Sequence, residues 1–197
     1  MKRESGILLP VTSLPSPYGI GCFSKEAYEF VDDLKAAGQS CWQILPLGPT
    51  SYGDSPYQSF STFGGNPYLI SLDELIDQGV LSLSECTAPD FGSDPKNISY
   101  DKIYALRFPL LRKAYERSGI SENPEFIRFR DENRWWLEDY CLFMAVKSRF
   151  DGKAWTEWLR TSAFDVPTPW TITAGSCILR LNSINIFSSS FFSSGKN

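Results

Sequence analysis

The stretch SKEAYEFVDDLKAAGQSCWQILPL, Ser24 to Leu47, decides the fold class of this chain. Its first part carries apolar residues at helical spacing: Ala27, Phe30, Val31, Leu34 and Ala37. Ser24 is a suitable N-cap for this helix, and Gly38 can supply its left-handed stop. The last part of the stretch, Cys41–Leu47, is short and nearly all apolar, which predicts a buried strand.

Another strand is predicted before this helix. GILLPV, Gly6–Val11, is a short apolar run, and the Pro- and Gly-rich segment Ser13–Gly21 that follows it is typical of a loop. Strand, helix and strand in this order form a βαβ unit with two parallel strands. We expect both strands to be buried on both faces, because parallel sheets are normally covered on each side. Ligands of such folds bind at the carboxyl ends of the strands.

The segment after the second predicted strand is rich in aromatic rings. This ring-rich loop, residues 50–72, has the sequence TSYGDSPYQSFSTFGGNPYLISL, although surface loops are normally polar. Sugars present apolar C–H faces flanked by hydroxyls, so a sugar site needs flat rings together with planar polar groups. The loop offers four candidate binding residues of these types: Asp54, Ser55, Tyr57 and Gln58. The alternative is that the rings only pack the loop onto the fold, which we favour for Phe60 and Phe63 because Phe has no polar tip.

Beyond residue 72 the pattern becomes helical. SLDELIDQG predicts a short helix that is capped by Ser71 and ended by Gly79. Tyr100–Gly119 predicts a longer helix, which Pro109 should kink or split. The segment Ser121–Phe150 predicts at least one more helix. We interpret these helices as an insertion after a barrel-type loop.

The composition argues against several classes of function. A net charge of -4 does not suit a protein that binds a phosphate backbone. No apolar run approaches the ~20 residues that a membrane span needs. The chain contains no histidine, which excludes Ser-His and Cys-His catalysis and histidine metal sites within it. Five scattered cysteines favour reduced thiols and a cytoplasmic location. We therefore expect no nucleic-acid partner, no membrane association, no metal and no cofactor.

The carboxylates supply only part of a site for glycosidic-bond chemistry. Such chemistry needs two carboxylates across one sugar, ~5 Å apart in retaining enzymes. Asp54 is the only acid of the ring-rich loop, whereas Asp32, Glu74 and Glu138 lie on predicted helix surfaces, where carboxylates are normally solvated. We expect Asp54 to orient its own loop or a sugar hydroxyl. The segment up to Trp158 therefore holds half a site.

Three segments together resemble the amylomaltase family, 4-α-glucanotransferases that are also called disproportionating enzymes. They are GILLPVTSLPSPYGIG, CWQILPLGPTSYGDSPYQSFSTFGGNPYLISL and RWWLEDYCLFMAVKSRFDGKAWTEW. The resemblance implies an α/β fold in which residues 1–158 form the N-terminal part of a (β/α)8 TIM barrel, with an inserted helical subdomain at about residues 73–158. The barrel is expected to be incomplete, because a full one takes ~250 residues. The resemblance also implies transfer of α-1,4-glucan segments between maltooligosaccharides by a retaining mechanism.

The resemblance further implies roles for individual residues. Tyr57 is expected to pack against the sugar at the cleavage subsite, with Ser55 and Gln58 beside it. Tyr52 and Tyr104 match two tyrosines that can form a second glucan-binding site in this family. The family's catalytic Asp and Glu residues lie far downstream of the matched segment. No catalytic residue can therefore be assigned, and we expect the chain alone to be inactive.

The last part of the chain, residues 159–197, has few charges and many serines. We interpret it as a divergent tail, either disordered or a frame-shifted reading of the family sequence, because Leu159 stands where the family usually has Pro. Two other functions stay open at this point. One is a small non-catalytic carbohydrate-binding module that uses only the ring-rich loop, and the other is a truncated gene product without a function of its own.

Overall fold

The structure is a computed structural model that describes residues 3–50, 52–92, 94 and 96–160, apart from the side chains of Tyr52, Leu159 and Arg160. The chain divides into two compact units, of which the first ends at Arg117 and the second begins at Ser118. The predicted tail lies almost wholly outside the described residues, so the predicted division at residue 158 stays a prediction.

The first unit begins with the βαβ arrangement that the sequence predicts. Strand β1 is Gly6–Leu8, helix α1 is Lys25–Ala36 and strand β2 is Cys41–Gln43. The two strands pair in parallel, with Ile7 opposite Trp42. Both strands are shorter than predicted from Gly6–Val11 and Cys41–Leu47, although the Leu9 N–H still donates to the Gln43 carbonyl at 3.0 Å. Val11–Ser13 is a short 3-10 helix instead of the end of a strand.

The expectation that both faces of these strands are buried is wrong. Ile7 is 42% exposed and Leu8 is 58% exposed. The sheet has two strands in the part of the chain that the structure describes. Trp42 is covered in part, since its ring packs edge-on against Phe30 of α1 at 5.0 Å between ring centroids. Its indole Nε1 donates a hydrogen bond to the Leu9 carbonyl at 2.8 Å.

The two ends of α1 differ in how well the sequence predicted them. Ser24 occupies the N-cap position, but its hydroxyl donates to the Glu26 carboxylate and makes no side-chain cap. At the other end Gly38 takes the expected left-handed conformation, with φ at 73°. Its N–H donates to the Lys35 carbonyl at 3.0 Å. The predicted stop is confirmed, and the predicted side-chain cap is wrong.

Three more α-helices follow in the described residues from Leu72 to Ser118. Helix α2, Leu72–Asp77, has the predicted cap, since the Ser71 hydroxyl accepts from the Glu74 N–H at 3.2 Å. Helix α3, Leu83–Thr87, was not predicted, and it begins with a capping box between Ser82 and Glu85. Helix α4 spans Tyr100–Ser118.

Helix α4 continues through Pro109, so the proline does not split it. A proline inside a helix removes one backbone hydrogen bond, and packing of the helix against its surroundings can outweigh that loss. The residues on either side of Pro109 are well packed, because Arg107, Leu110 and Leu111 are all buried.

The second unit is helical in its described part. Helix α5 is Pro124–Glu132 and helix α6 is Arg134–Arg149. Asn123 caps α5, because its side-chain oxygen accepts from the Glu125 N–H at 2.8 Å, and Pro124 stands at the first helical position. The prediction of at least one helix in this segment is confirmed, and a short 3-10 helix at Trp155–Arg160 follows.

Four cysteines test the expectation that the thiols of this chain are reduced. Cys22, Cys41 and Cys86 are free thiols. Cys141 is disulfide-bonded, so the expectation of reduced thiols is wrong at that position. No helix within the described ranges has both the length and the apolar character to cross a membrane.

Candidate sugar-binding site

The ring-rich loop lies at the carboxyl ends of the two parallel strands, as predicted. A small cavity of about 90 Å³ is found there. Its wall combines residues that follow β1, residues that follow β2, the loop itself and the start of α4. The side chains with polar atoms in this wall are Thr12, Thr50, Asp54, Asn66, Tyr68 and Tyr100.

Asp54 enters this cavity from an unusual backbone conformation. Gly53 has φ at 79° and Asp54 has φ at 53°, so two successive residues are left-handed. Glycine adopts this region freely, and Asp is among the few other residues that tolerate it. The Asp54 side chain is half-buried, and burial raises the pKa of its carboxyl. Tyr100 is near enough that the Asp54 charge adds to the effect of burial in raising the pKa of Tyr100.

Tyr57 is held on a turn next to the cavity and presents its ring to solvent. The Ser55 hydroxyl accepts from the Tyr57 N–H at 3.4 Å, and the Ser55 carbonyl accepts from the Gln58 N–H at 3.2 Å. Tyr57 is 73% exposed. The structure therefore brings Ser55, Tyr57 and Gln58 together in one turn, with Asp54 directed into the neighbouring cavity wall.

Short-range hydrogen bonds and one close approach fix the rest of the loop. The Asn66 N–H donates to the Leu47 carbonyl at 2.9 Å, which ties the end of the loop to the segment after β2. The Ser61 hydroxyl accepts from the Gly64 N–H at 2.9 Å. At Gly48 a Cβ atom would stand 2.5 Å from the Ser59 hydroxyl oxygen, so any larger residue would force the Ser59 side chain to move. The loop is therefore a defined support for the Tyr57 turn.

The rings of the loop divide into packed and exposed ones. Tyr68 is 6% exposed and packs against Tyr100 and Phe108 at 6.1 and 6.0 Å between ring centroids. Phe60 is half-buried, in line with the packing interpretation. Phe63 is 52% exposed, so packing covers only about half of its surface, and the packing interpretation holds only in part for this ring.

Tyr104 on α4 extends this row of rings to the surface. Its ring lies 5.0 Å from Phe108, and the residue is 62% exposed. The side chain of Tyr52, its proposed partner in a second glucan site, lies outside the described part of the structure. The predicted pairing of Tyr52 with Tyr104 stays a prediction.

Arg107 holds the end of the loop to α4, and the sequence analysis missed it. The residue is 0% exposed, and its Nη2 donates to the Ile70 carbonyl. Its Nε and Nη1 make no hydrogen bond within the described residues. Burial lowers the pKa of Arg107, an effect that the neighbouring Cys22 thiol opposes. The available signal was its position on the apolar face of α4, between Ile103 and Leu110.

The acids of the described chain are not arranged as a catalytic pair around the cavity. Asp54 is the one carboxylate among the described residues that line it. Asp73 instead accepts a hydrogen bond from the Tyr18 hydroxyl. In residues 3–160, as far as they are described, no three Cys, Asp or Glu side chains come together as a metal site. The arrangement suits binding of a neutral polyol and lacks a general acid with its partner.

Comparison with known proteins shows which family this chain is similar to. A family described as 4-alpha-glucanotransferase matches residues 9–172. The 4-alpha-glucanotransferase of Streptococcus pneumoniae is 52% identical over 158 residues, which cover 80% of this chain and 31% of that protein. The 4-alpha-glucanotransferase of Thermus thermophilus is 46% identical over 162 residues, which cover 80% of this chain and 31% of that protein. The chain thus spans about a third of the length of these relatives.

A solved structure gives the same result for the fold. Amylomaltase from Streptococcus agalactiae in complex with acarbose superposes with a TM-score of 0.83 at 36% identity. The match covers 98% of this chain and 40% of the solved chain. The prediction of an incomplete N-terminal part of a (β/α)8 barrel with inserted helices is confirmed.

Proposed function

Because the chain belongs to the 4-alpha-glucanotransferase family, we propose that it is the N-terminal, sugar-binding part of an enzyme that transfers α-1,4-glucan segments between maltooligosaccharides. The observation that carries this proposal is the exposed Tyr57 ring on a fixed turn at the carboxyl ends of the parallel strands. Ligands of parallel α/β folds bind at this end.

Tyr57 is suited to the apolar face of a glucose unit. A ring that is 73% exposed offers a flat surface that a sugar can cover without any change of the fold. Its phenolic hydroxyl and the neighbouring Ser55 and Gln58 side chains supply hydrogen-bonding groups at the edge of that surface. We assign Tyr57 to the sugar at the cleavage subsite, with Ser55 and Gln58 beside it.

Asp54 has a supporting role in this proposal. It lines a cavity of about 90 Å³, which is small beside the ~300–1,000 Å³ of ordinary ligand pockets. The cavity therefore suits a single hydroxyl or hydroxymethyl group and not a whole glucose unit. Burial raises the pKa of the Asp54 carboxyl, and its oxygens can accept a hydrogen bond from a sugar hydroxyl.

A second glucan surface is proposed at Tyr104, with Tyr52 as its partner. The Tyr104 ring is 62% exposed and rests on Phe108, so a sugar can stack on it without competing with a packed neighbour. The family resemblance supports this assignment.

The chain by itself is proposed to be catalytically inactive. A retaining transfer needs a nucleophilic carboxylate and a general acid across the scissile bond. Asp54 is the one carboxylate among the described residues that line the cavity. The chain covers about a third of its relatives, and the acid pair is expected in the part that it does not cover. We propose a cytoplasmic location, no cofactor and no nucleic-acid partner, the last in keeping with the net charge of -4.

Binding of an α-1,4-glucan to the purified chain tests this proposal. We expect saturation transfer from the protein to the C–H protons of maltoheptaose in solution NMR, and much less transfer to the β-1,4-linked cellohexaose. No transfer to maltoheptaose, or equal transfer to both sugars, would overturn the assignment. A non-catalytic carbohydrate-binding fragment is the alternative. It would bind in the same way and would stay inactive when the rest of the barrel is supplied.

A further inference from the structure

We propose that a second, larger cavity, between the loop after β1 and the segment before α4, binds a neutral sugar of one or two hexose units. Its volume is about 540 Å³, against about 90 Å³ for the cavity beside Asp54. The larger value lies within the ~300–1,000 Å³ of ordinary ligand pockets. This site is separate from the Tyr57 ring, and the inference does not rest on the proposed transfer reaction.

The first wall of the large cavity comes from the loop that follows β1, residues 12–21. The two ends of this loop are joined, because the Gly21 N–H donates to the Thr12 carbonyl at 3.1 Å. A Cβ atom at Gly21 would stand 2.2 Å from the Val11 carbonyl oxygen, so the backbone approaches itself more closely than a larger residue allows. The wall is therefore held in place by its own backbone.

The second wall is the segment before α4, from which Gly92, Asp94 and residues 96–98 line the cavity. The Asp94 carboxylate accepts from the Lys96 backbone N–H at 2.8 Å and from the Asn97 side-chain amide at 2.7 Å. These bonds, that from Asn97 first, lower the pKa of Asp94. The carboxylate is thus ionised at neutral pH and is occupied with holding its own turn.

The two walls are packed against each other. Gly19 of the first wall has φ at 75°, and a Cβ atom there would stand 2.7 Å from the Phe91 Cβ and 2.8 Å from the Phe91 carbonyl oxygen. The Tyr18 ring packs edge-on against Phe91 at 6.3 Å between ring centroids. Because Phe91 directly precedes the second wall, these contacts fix the distance between the walls. The cavity is therefore formed before any ligand enters it.

The chemistry of the lining favours a neutral polyol. Hydroxyl and amide groups, which both donate and accept hydrogen bonds, are supplied by Thr12, Ser13, Ser16 and Asn97. Apolar surface for C–H groups is supplied by Leu14, Ile20 and Ile98. Lys96 is the one cation and Asp94 the one carboxylate among the described residues of the lining, so their charges cancel and neither an anion nor a cation is selected.

The lining also indicates how a sugar would be held. No aromatic ring is found among the described residues that line this cavity. Binding therefore depends on hydrogen bonds and on contact with aliphatic side chains, whereas the Tyr57 surface depends on stacking. The two sites should consequently respond to different substitutions.

Methyl NMR of the 197-residue chain tests the proposal, with maltose as the probe. We expect saturable chemical-shift changes for the methyl groups of Leu14, Ile20 and Ile98, and no such changes with inorganic phosphate. Absence of changes with maltose would overturn the proposal, and so would changes of equal size with phosphate.

A matched pair of variants locates the bound sugar. Ser13→Trp places a large ring at an exposed position of the first wall, and Ser148→Trp places the same ring at an exposed position of α6. We expect Ser13→Trp to weaken maltose binding at least tenfold and Ser148→Trp to leave it unchanged. Ser13→Met fills less of the cavity and should weaken binding in the same direction, which keeps the test decisive if the Trp variant does not fold. Equal affinity of the Ser13 and Ser148 variants would contradict binding in this cavity.

Tyr57→Ala separates this site from the proposed function, because Tyr57 does not line the large cavity. We expect the methyl shift changes with maltose to persist in this variant. Their loss would place maltose on the Tyr57 surface and overturn the cavity site. Persistent methyl changes together with maltoheptaose binding that Tyr57→Ala does not weaken would contradict the proposed role of Tyr57 and leave the cavity site intact.

Discussion

Replacing Tyr57 by Ala should weaken binding of maltoheptaose with little effect on folding. The ring is 73% exposed, so the folded chain gains little from it. Exposed positions away from special features usually change stability by less than about 0.5 kcal/mol. The backbone N–H of residue 57, which bonds to the Ser55 hydroxyl, is retained in the variant.

The size of the loss follows from the area that a sugar would cover. One face of a tyrosine ring presents roughly 50 Å² out of the ~150–250 Å² that an aromatic side chain can bury. With an equal area on the sugar, about 100 Å² leaves water, which at about 25 cal/mol per Å² contributes about 2.5 kcal/mol. Since every 1.4 kcal/mol is about a factor of ten, we expect Tyr57→Ala to bind roughly 50-fold more weakly.

The assay is a titration with maltoheptaose followed by calorimetry. Tyr57→Phe is the control that keeps the stacking face, and we expect it to stay within about threefold of the parent because it loses only one hydrogen-bonding group at an exposed position. Trp135→Ala removes an equally exposed ring from α6, 68% exposed, and should leave binding unchanged. Binding by Tyr57→Ala within twofold of the parent would refute the stacking role. A loss as large in Tyr57→Phe would show that the hydroxyl, and not the ring face, carries the affinity.

Three further outcomes are expected. In the assembled barrel, Tyr57→Ala should lower kcat for maltotriose more than Tyr52→Ala, because only the first ring is assigned to the reacting sugar; equal losses would contradict the assignment. The chain alone should be marginally stable and bind apolar dyes, since Leu8 is 58% exposed; absence of dye binding together with a high melting temperature would count against this. Hydrogen bonds from Arg117 and Ser82 lower the pKa of Glu85, so its stabilising effect is fully present above the unfolded pKa and declines as pH falls from there through the lower folded pKa. Glu85→Gln should therefore lower the melting temperature at pH 7 more than at pH 3, and an equal change at both values would sink this reasoning.

The sequence predicted the parts of the fold that depend on local patterns. The left-handed stop at Gly38 and the cap at Ser71 depend on single residues and their immediate neighbours, and both are confirmed. Helix α3 also had a local signal, the Ser82-x-x-Glu85 capping box, which the sequence analysis overlooked. The ends of the strands could not be predicted, because strand length depends on neighbouring strands and not on the apolar run alone.

For the candidate site, sequence composition predicted the chemistry better than the geometry. The aromatic and polar residues that follow β2 predicted Tyr57 and its neighbours as binding residues. The structure brings Ser55, Tyr57 and Gln58 into one turn. The cavity beside Asp54 was not predicted, because it depends on the left-handed backbone at that residue and on Tyr100 from a distant helix. Arg107 was missed because an arginine on an apolar helix face normally extends its charged head into water. Burial of the guanidinium group was therefore not expected.

The central claim is that this chain supplies glucan-binding surface to a transferase whose catalytic carboxylates lie elsewhere. Glucose release from maltotriose by the purified chain alone tests it most directly. The account predicts a rate equal to that of a heat-killed sample, because a lone Asp54 cannot act as nucleophile and general acid together. Sustained glucose release with formation of longer glucans would contradict it and would require a catalytic pair within these 197 residues.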